Sequence, residues 1–349
     1  MRWHRGAAGC SYSATLEAVR VLAAVDKFRG TATAHDAARA IADACWTTAH
    51  ECVELPLADG GEGTLAVLGG ANRTLRVEGP LGSPVDAAWR LHRGTAVIEM
   101  ALASGIELVG DAEHNDPLAA STIGTGQLID AALNLGAERI IVCVGGSATT
   151  DGGLGAVHAI TAPARLKRTE FFVACDVETL FLDAAEVFAP QKGATAAQTK
   201  FLTSRLAGTA EHYRQRFGVD VTQVVGGGAA GGLAGGLYAL GAQLVRGFDL
   251  VADETGLHDA ITECDIVVTG EGRLDDTSLS GKVVGGVIGL ARLHGKPVVV
   301  ICGDATDEAR KAVQSRGVRV VSLRKQFGDA AMTSTLQCIR SAAEIALAQ

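Results

Sequence analysis

The chain has 349 residues, a formal net charge of −8, 48% hydrophobic and 20% charged residues; these values place it among folded globular proteins and exclude disordered, collagen-like and disulfide-scaffold classes. The acidic balance argues against a general nucleic-acid or anionic-membrane surface, both of which rely on clustered Lys and Arg. With 44 Gly against 7 Pro, glycine is read as serving tight turns and close backbone approaches rather than disorder.

Residues 1–19 read as a loose leader, without the apolar segment of a secretion signal. From Arg20 onward, short apolar β-branched runs alternate with amphipathic stretches, the pattern of βα units on a largely parallel sheet. The spacing predicts strands over 21–25, 53–57, 140–144, 171–174, 266–269, 298–302 and 318–323. A helix is predicted over 34–45, opened by Thr33 and Asp36 as a capping box. Residues 74–100 depart from the rhythm: Val85, Ala87, Trp89 and Leu91 alternate, as do Ala96, Ile98 and Met100, with turn signals at Gly79-Pro80 and Arg93-Gly94. That pattern predicts an antiparallel meander opening an inserted domain. The expected fold is therefore two-domain α/β: a Rossmann-like, largely parallel domain from residues 20–73 plus 255–349, and a second α/β domain, 74–254, inserted into it. The stretch 224–245 is uncharged and long enough to span a bilayer, but its eight glycines mark it as a Gly-rich loop entering a helix. Eight cysteines without a CxxC pair read as reduced thiols in a cytosolic setting, with Cys143, Cys175, Cys264 and Cys302 acting as small hydrophobes.

Acids and glycines recur just past predicted strand ends: Asp26-Lys27, Asp59-Gly60-Gly61-Glu62-Gly63, Gly145 to Gly153, and Gly270-Glu271-Gly272-Arg273-Leu274-Asp275. Ligands of open α/β sheets bind at those ends. Gly145, Gly146, Ser147 and Thr149 form a candidate phosphate cradle, with glycines for backbone approach and hydroxyls as donors near an expected helix start. No Walker-type G-x-x-x-x-G-K-[ST] and no dinucleotide G-x-G-x-x-G follow a strand. Phosphoryl transfer also needs carboxylates and cations. Asp151, Glu271 and Asp275 are the candidate carboxylates, and Lys27, Arg273, Lys282 and Lys192 the candidate cations. Asp275 is expected to orient or deprotonate the acceptor hydroxyl and Asp151 to bind metal or substrate, the reversed assignment being the alternative; Asp151 and Glu271 are the candidate ligands of a Mg²⁺ ion, since oxygen donors suit that metal and no His/Cys spacing suits zinc.

These motifs, together with Asp26-Lys27-Phe28-Arg29-Gly30, Thr122-Ile123-Gly124-Thr125-Gly126, Pro190-Gln191-Lys192-Gly193-Ala194 and Gly228-Ala229-Ala230-Gly231-Gly232, stand in the order found in class I glycerate kinases, and the chain resembles that family from about residue 21 to 303. The resemblance implies ATP- and Mg²⁺-dependent phosphorylation of D-glycerate, a small hydroxy acid, at the 2-hydroxyl, in a cleft between two α/β domains; the reduced thiols and acidic charge add the expectation of a cytoplasmic enzyme that binds neither nucleic acid nor membrane. Two departures bear on the substrate. Only 19 residues, 156–174, precede Cys175-Asp176-Val177, where the family carries a further helix and strand, and Glu178 to Asp183 replaces a longer Gly-rich loop. The alternative reading is a nucleotide-binding protein of the same fold with an altered substrate or no kinase activity.

Overall fold

A computed structural model describes residues 18–279 and 281–348. Its strands, in chain order, are β1 (Arg20–Ala23), β2 (Glu51–Glu54), β3 (Arg73–Glu78), β4 (Pro84–His92), β5 (Thr95–Glu99), β6 (Arg139–Cys143), β7 (Glu170–Ala174), β8 (Gln243–Val245), β9 (Ile266–Leu274), β10 (Val298–Ala305) and β11 (Arg319–Ser322). They form two sheets, ordered β11-β10-β9-β1-β2 and β3-β4-β5-β6-β7-β8. Every pair in the first is parallel. In the second, β3-β4 and β4-β5 are antiparallel and the pairs from β5 to β8 are parallel. The chain thus builds β1 and β2, leaves to make the whole second sheet, and returns to finish the first. The strand content of 20–73 with 255–349 falls in one sheet and that of 74–254 in the other, apart from Arg73, which opens β3.

Each parallel strand is apolar on both faces because helices cover both. In the first sheet Leu22, Val267 and Val300 face one buried cluster, and Val21, Val268 and Ile301 face another. The helix Ala34–Thr47 buries Ala37, Ala38, Ile41 and Cys45 on one stripe. Its N-terminus differs from the expected capping box: the Thr33 hydroxyl accepts from the Asp36 N–H and donates to the Asp36 carboxylate, so the reciprocal bond to the Thr33 backbone is not made. A full box closes the start of the helix Ala196–Phe217, between Thr195 and Gln198.

β9 runs five residues beyond its predicted end, through Gly270-Glu271-Gly272-Arg273-Leu274. Those residues pair with β10 as far as Leu274 opposite Ala305. Glycine there admits a close neighbour rather than making a turn, since a Cβ on Gly270 would stand 1.9 Å from the Ile301 carbonyl oxygen. The stretch 224–245 resolves into a loop, the helix Ala229–Ala239 and the short strand β8, which the periodicity does not predict. Ala230, Gly231 and Gly232 open that helix in the left-handed region, at φ 53°, 66° and 92°. Most of the expected leader, residues 1–17, lies outside the described residues; Val19 packs against the first sheet's core. Among the described residues no helix is long and apolar enough to cross a membrane. The seven described cysteines are free; Cys143, Cys264 and Cys302 are buried, whereas Cys175 is half-buried.

The sheets meet where the loop after β2 lies against the helix Gly247–Thr255. A Cβ on Gly247 would sit 2.0 Å from the Asp59 carbonyl oxygen and 2.7 Å from the Gly60 Cα. Gly247→Ala should therefore push the two loops apart and cost about 1–3 kcal/mol; thermal denaturation of the variant should show a lowered Tm.

Candidate active site

Strand C-termini from both sheets converge on a cleft of about 460 Å³. From the first sheet come Arg29, Asp59, Gly60 and Gly61, and Lys282 just before the helix Val283–Leu293; from the second come Gly145, Gly146 and Ser147 after β6, Asp176 after β7, and Lys192. The glycines of the cradle are required by their neighbours as well as by any ligand. A Cβ on Gly146, whose φ is +67°, would meet a Glu62 carboxylate oxygen at 2.6 Å, and one on Gly145 would meet the Gly61 Cα at 2.9 Å. The cradle does not open directly into a helix: the next one, Leu154–Ala159, begins only after two left-handed glycines, Gly152 and Gly153.

Lys192 is buried, and its Nζ donates to the Thr149 carbonyl at 2.6 Å and to the Ser147 hydroxyl at 3.3 Å. Desolvation pushes its ammonium down to about 7, against a smaller opposing pull from the Asp151 charge. Asp176 receives the Gly247 N–H on Oδ1 at 2.7 Å, while its Oδ2 is buried without a hydrogen-bond partner. Burial, with help from the Asp59 charge, raises Asp176 to about 6. Asp26, which lines an adjoining pocket rather than the cleft, is raised to about 7 by burial and then by Asp59. Asp59 thus acts on one carboxylate in the cleft and one beside it, with Lys282 acting against the rise at both. Asp26 and Asp59 lie in strand-end motifs of the sequence, whereas Asp176 stands in Cys175-Asp176-Val177, where the residue pattern assigns it no chemical role.

The other expected site residues are distributed differently. Thr149 is buried behind Ser147 and contributes its carbonyl to Lys192 rather than a hydroxyl to the cleft. Asp151 is a structural clamp in place of the expected metal ligand: its carboxylate accepts from the Thr122 N–H and hydroxyl and from the N–H groups of Gly153 and Gly155, at 2.8–3.2 Å, fastening the starts of two helices. Three of these bonds fall on Oδ2 and one on Oδ1. Asp151→Asn would turn an amide N–H₂ toward N–H groups and should cost roughly 2–4 kcal/mol, as charge-assisted bonds are lost and donors orphaned. Chemical denaturation checks this, and the Mg²⁺ dependence of activity should move little.

Lys27 turns to the Glu62 carbonyl and carboxylate and lines a neighbouring pocket of about 590 Å³ that joins the cleft at Arg29. Glu271 and Arg273 lie on β9 itself, outside the cleft wall, with Arg273 exposed. Glu271 is raised to about 7, chiefly by burial, and one of its oxygens is unpartnered. Asp275 is also off the wall: it accepts from the Thr277 N–H and hydroxyl at 3.0 and 2.6 Å, and the Thr277 hydroxyl bond holds its carboxyl below the ordinary range. A carboxylate held this way is a weak base.

Comparison with known proteins places the chain. The glycerate kinase family model matches residues 21–163 and 161–348. This protein belongs to the glycerate kinase family. It is 41% identical to glycerate 2-kinase of Escherichia coli K12 over 307 residues, covering 77% of this chain and 80% of that one. It is 35% identical to the glycerate kinase of Bacillus subtilis 168 over 340 residues, covering 86% and 88%. A crystal structure described as glycerate kinase 2 from Salmonella typhimurium LT2 superposes with a TM-score of 0.79 at 33% identity, covering 95% of this chain and 98% of that one. The two matched stretches meet at 161–163, inside the short link between the helix Leu154–Ala159 and β7.

Proposed function

We propose that this glycerate kinase family member transfers the terminal phosphoryl group of ATP, carried with Mg²⁺, to the 2-hydroxyl of D-glycerate. The observation that carries the reading is the meeting of Gly145-Gly146-Ser147, the buried Lys192, Lys282 and the half-satisfied Asp176 in one cleft of a family member. Phosphoryl transfer is mostly positioning and charge neutralisation. Lys192 and Lys282, with Arg29 at the mouth, are assigned to the anionic groups, phosphate and carboxylate. Asp176 is assigned to the acceptor hydroxyl: Gly247 fixes one oxygen, and the free one accepts the proton as the hydroxyl attacks. The pocket that joins at Arg29 extends the cleft for the rest of the nucleotide.

Among the described residues no three His, Cys, Asp or Glu side chains form a ready-made metal cage. Mg²⁺ is commonly held by one or two carboxylates plus substrate phosphates. Asp59 fits that role, because it raises both Asp26 and Asp176 and a cation beside it would relieve the crowding. When bound, the ion would neutralise charge on the transferring phosphoryl group.

The shortened link itself lies away from the cleft. It enters β7 at Glu170, whereas the cleft is built at the other end, after Ala174, so roughly 16 Å of strand separate the two. A coupled ADP-release assay with D-glycerate, ATP and Mg²⁺ tests the proposal; nucleotide binding without turnover on D-glycerate would overturn it.

A further inference from the structure

Apart from the cleft, a further groove of about 520 Å³ is lined by residues of both sheets. One wall is apolar, from Leu55, Pro56, Val67, Leu68 and Val97; the other carries Arg90, His92 and Arg93 from β4 and the turn into β5. Arg90 is braced by two bonds from Nη1 to the Gly69 and Gly70 carbonyls, at 2.8 and 3.0 Å, which hold its guanidinium in place on the groove wall. The groove's own carboxylate, Glu254, is engaged by Arg139 at 2.7 Å, and Glu138 stands outside it, beside Gly94. The local balance is therefore cationic in a chain that is acidic overall.

The turn itself is informative. Arg93 and Gly94 both have positive φ, 47° and 80°, the pattern of a two-residue type I′ turn. Asn, Asp or Gly ordinarily fills the first position, and Arg there is an unfavourable backbone choice. A strained conformation kept at the mouth of a groove directs attention to what the side chain does there.

We propose that this groove binds a phosphate-bearing small molecule, with Arg93 and His92 as its anion ligands and Arg90 adding positive charge on the same wall. Planar guanidinium forks match phosphate oxygens two at a time. The apolar wall is formed by the ends of chain segments whose other ends build the catalytic cleft. Leu55 and Pro56 lead to Asp59; Val67 ends the helix that follows Glu62; Glu254 and Thr255 end the helix whose first N–H is held by Asp176. Occupancy should therefore be felt at the cleft as a change in the KM for glycerate.

The test is calorimetric titration of the full chain with inorganic phosphate and, separately, with glycerol 3-phosphate, comparing the wild type with Arg93→Gly/His92→Gln. Glycine is the residue the turn prefers, so the variant should keep its Tm. The proposal expects a site present in the wild type and weakened at least tenfold in the variant, with any binding in the cleft retained, and a phosphate-dependent KM shift lost alongside it. Tighter binding of the ester would identify an organic phosphate seated on the apolar wall, and equal affinity free phosphate. Identical titrations of variant and wild type would overturn the proposal.

Discussion

Asp176→Asn should lower kcat by about 10² to 10⁴, the usual cost of removing a general base, with the KM for ATP little changed. The carboxylate is placed for that task. Gly247 holds one oxygen, the other is buried and free, and burial brings the group to about 6, close to neutrality, where a base is most effective. The asparagine keeps the shape and can still accept from Gly247, so the variant should stay folded. Asp275→Asn is the control. Its carboxylate already serves Thr277, and its lowered pKa makes it a poor base, so a loss of less than about tenfold is expected. Steady-state kinetics of both variants decide the matter: near-normal kcat in Asp176→Asn with collapse in Asp275→Asn would move the base from β7 to the end of β9.

Lys192→Met should reduce kcat/KM for glycerate by about 10² to 10³, the scale reached when one preorganised donor is removed from a dry site, yet raise Tm near neutral pH. The two effects share a cause. In the unfolded chain Lys192 titrates at its ordinary 10.5, in the fold at about 7. The unfolded state therefore holds the proton more firmly, and burial of the ammonium costs stability in full below pH 7. That cost fades as pH rises from about 7 to 10.5, so the stability gained by Lys192→Met should shrink over the same window. In the wild type, kcat/KM should fall above pH 7 as the free enzyme loses this charge, and should rise toward pH 6 as Asp176 ionises. A bound anion holds the proton on Lys192, so the alkaline limb of kcat should lie at higher pH than that of kcat/KM. Superimposable limbs in wild type and Lys192→Met would remove Lys192 from substrate binding.

The pattern of residues carries the fold where it is periodic. Apolar runs near 21, 140, 171 and 298 become strands because burial on both faces leaves a continuous hydrophobic signature, and alternation over 74–100 becomes the meander. It fails where glycine has two meanings. Gly270 and Gly272 read as the loop after a strand, yet they continue β9 because β10 lies too close for a side chain. Asp151 shows a different limit. Beside a Gly-rich junction it reads as a metal ligand, but its partners Thr122, Gly153 and Gly155 include one 29 residues away that local spacing does not reveal. Asp176 becomes visible only when β7 is set beside the helix starting at Gly247, because its role depends on one N–H it receives and one it lacks.

The order in which the strands are made has a consequence for synthesis. All six strands of the second sheet are contiguous between Arg73 and Val245, so that sheet can close as soon as it leaves the ribosome. β1 sits between β2 and β9, and the Arg20 N–H bonds a carboxylate 245 residues further along. At about 5–20 residues per second, β1 waits on the order of ten seconds or more for its second neighbour. Through that interval Val21, Leu22 and Ala23, fully buried in the finished enzyme, have one open ladder edge. The first sheet is therefore the half of the molecule whose assembly depends on completion of the chain and on shelter for its earliest strand.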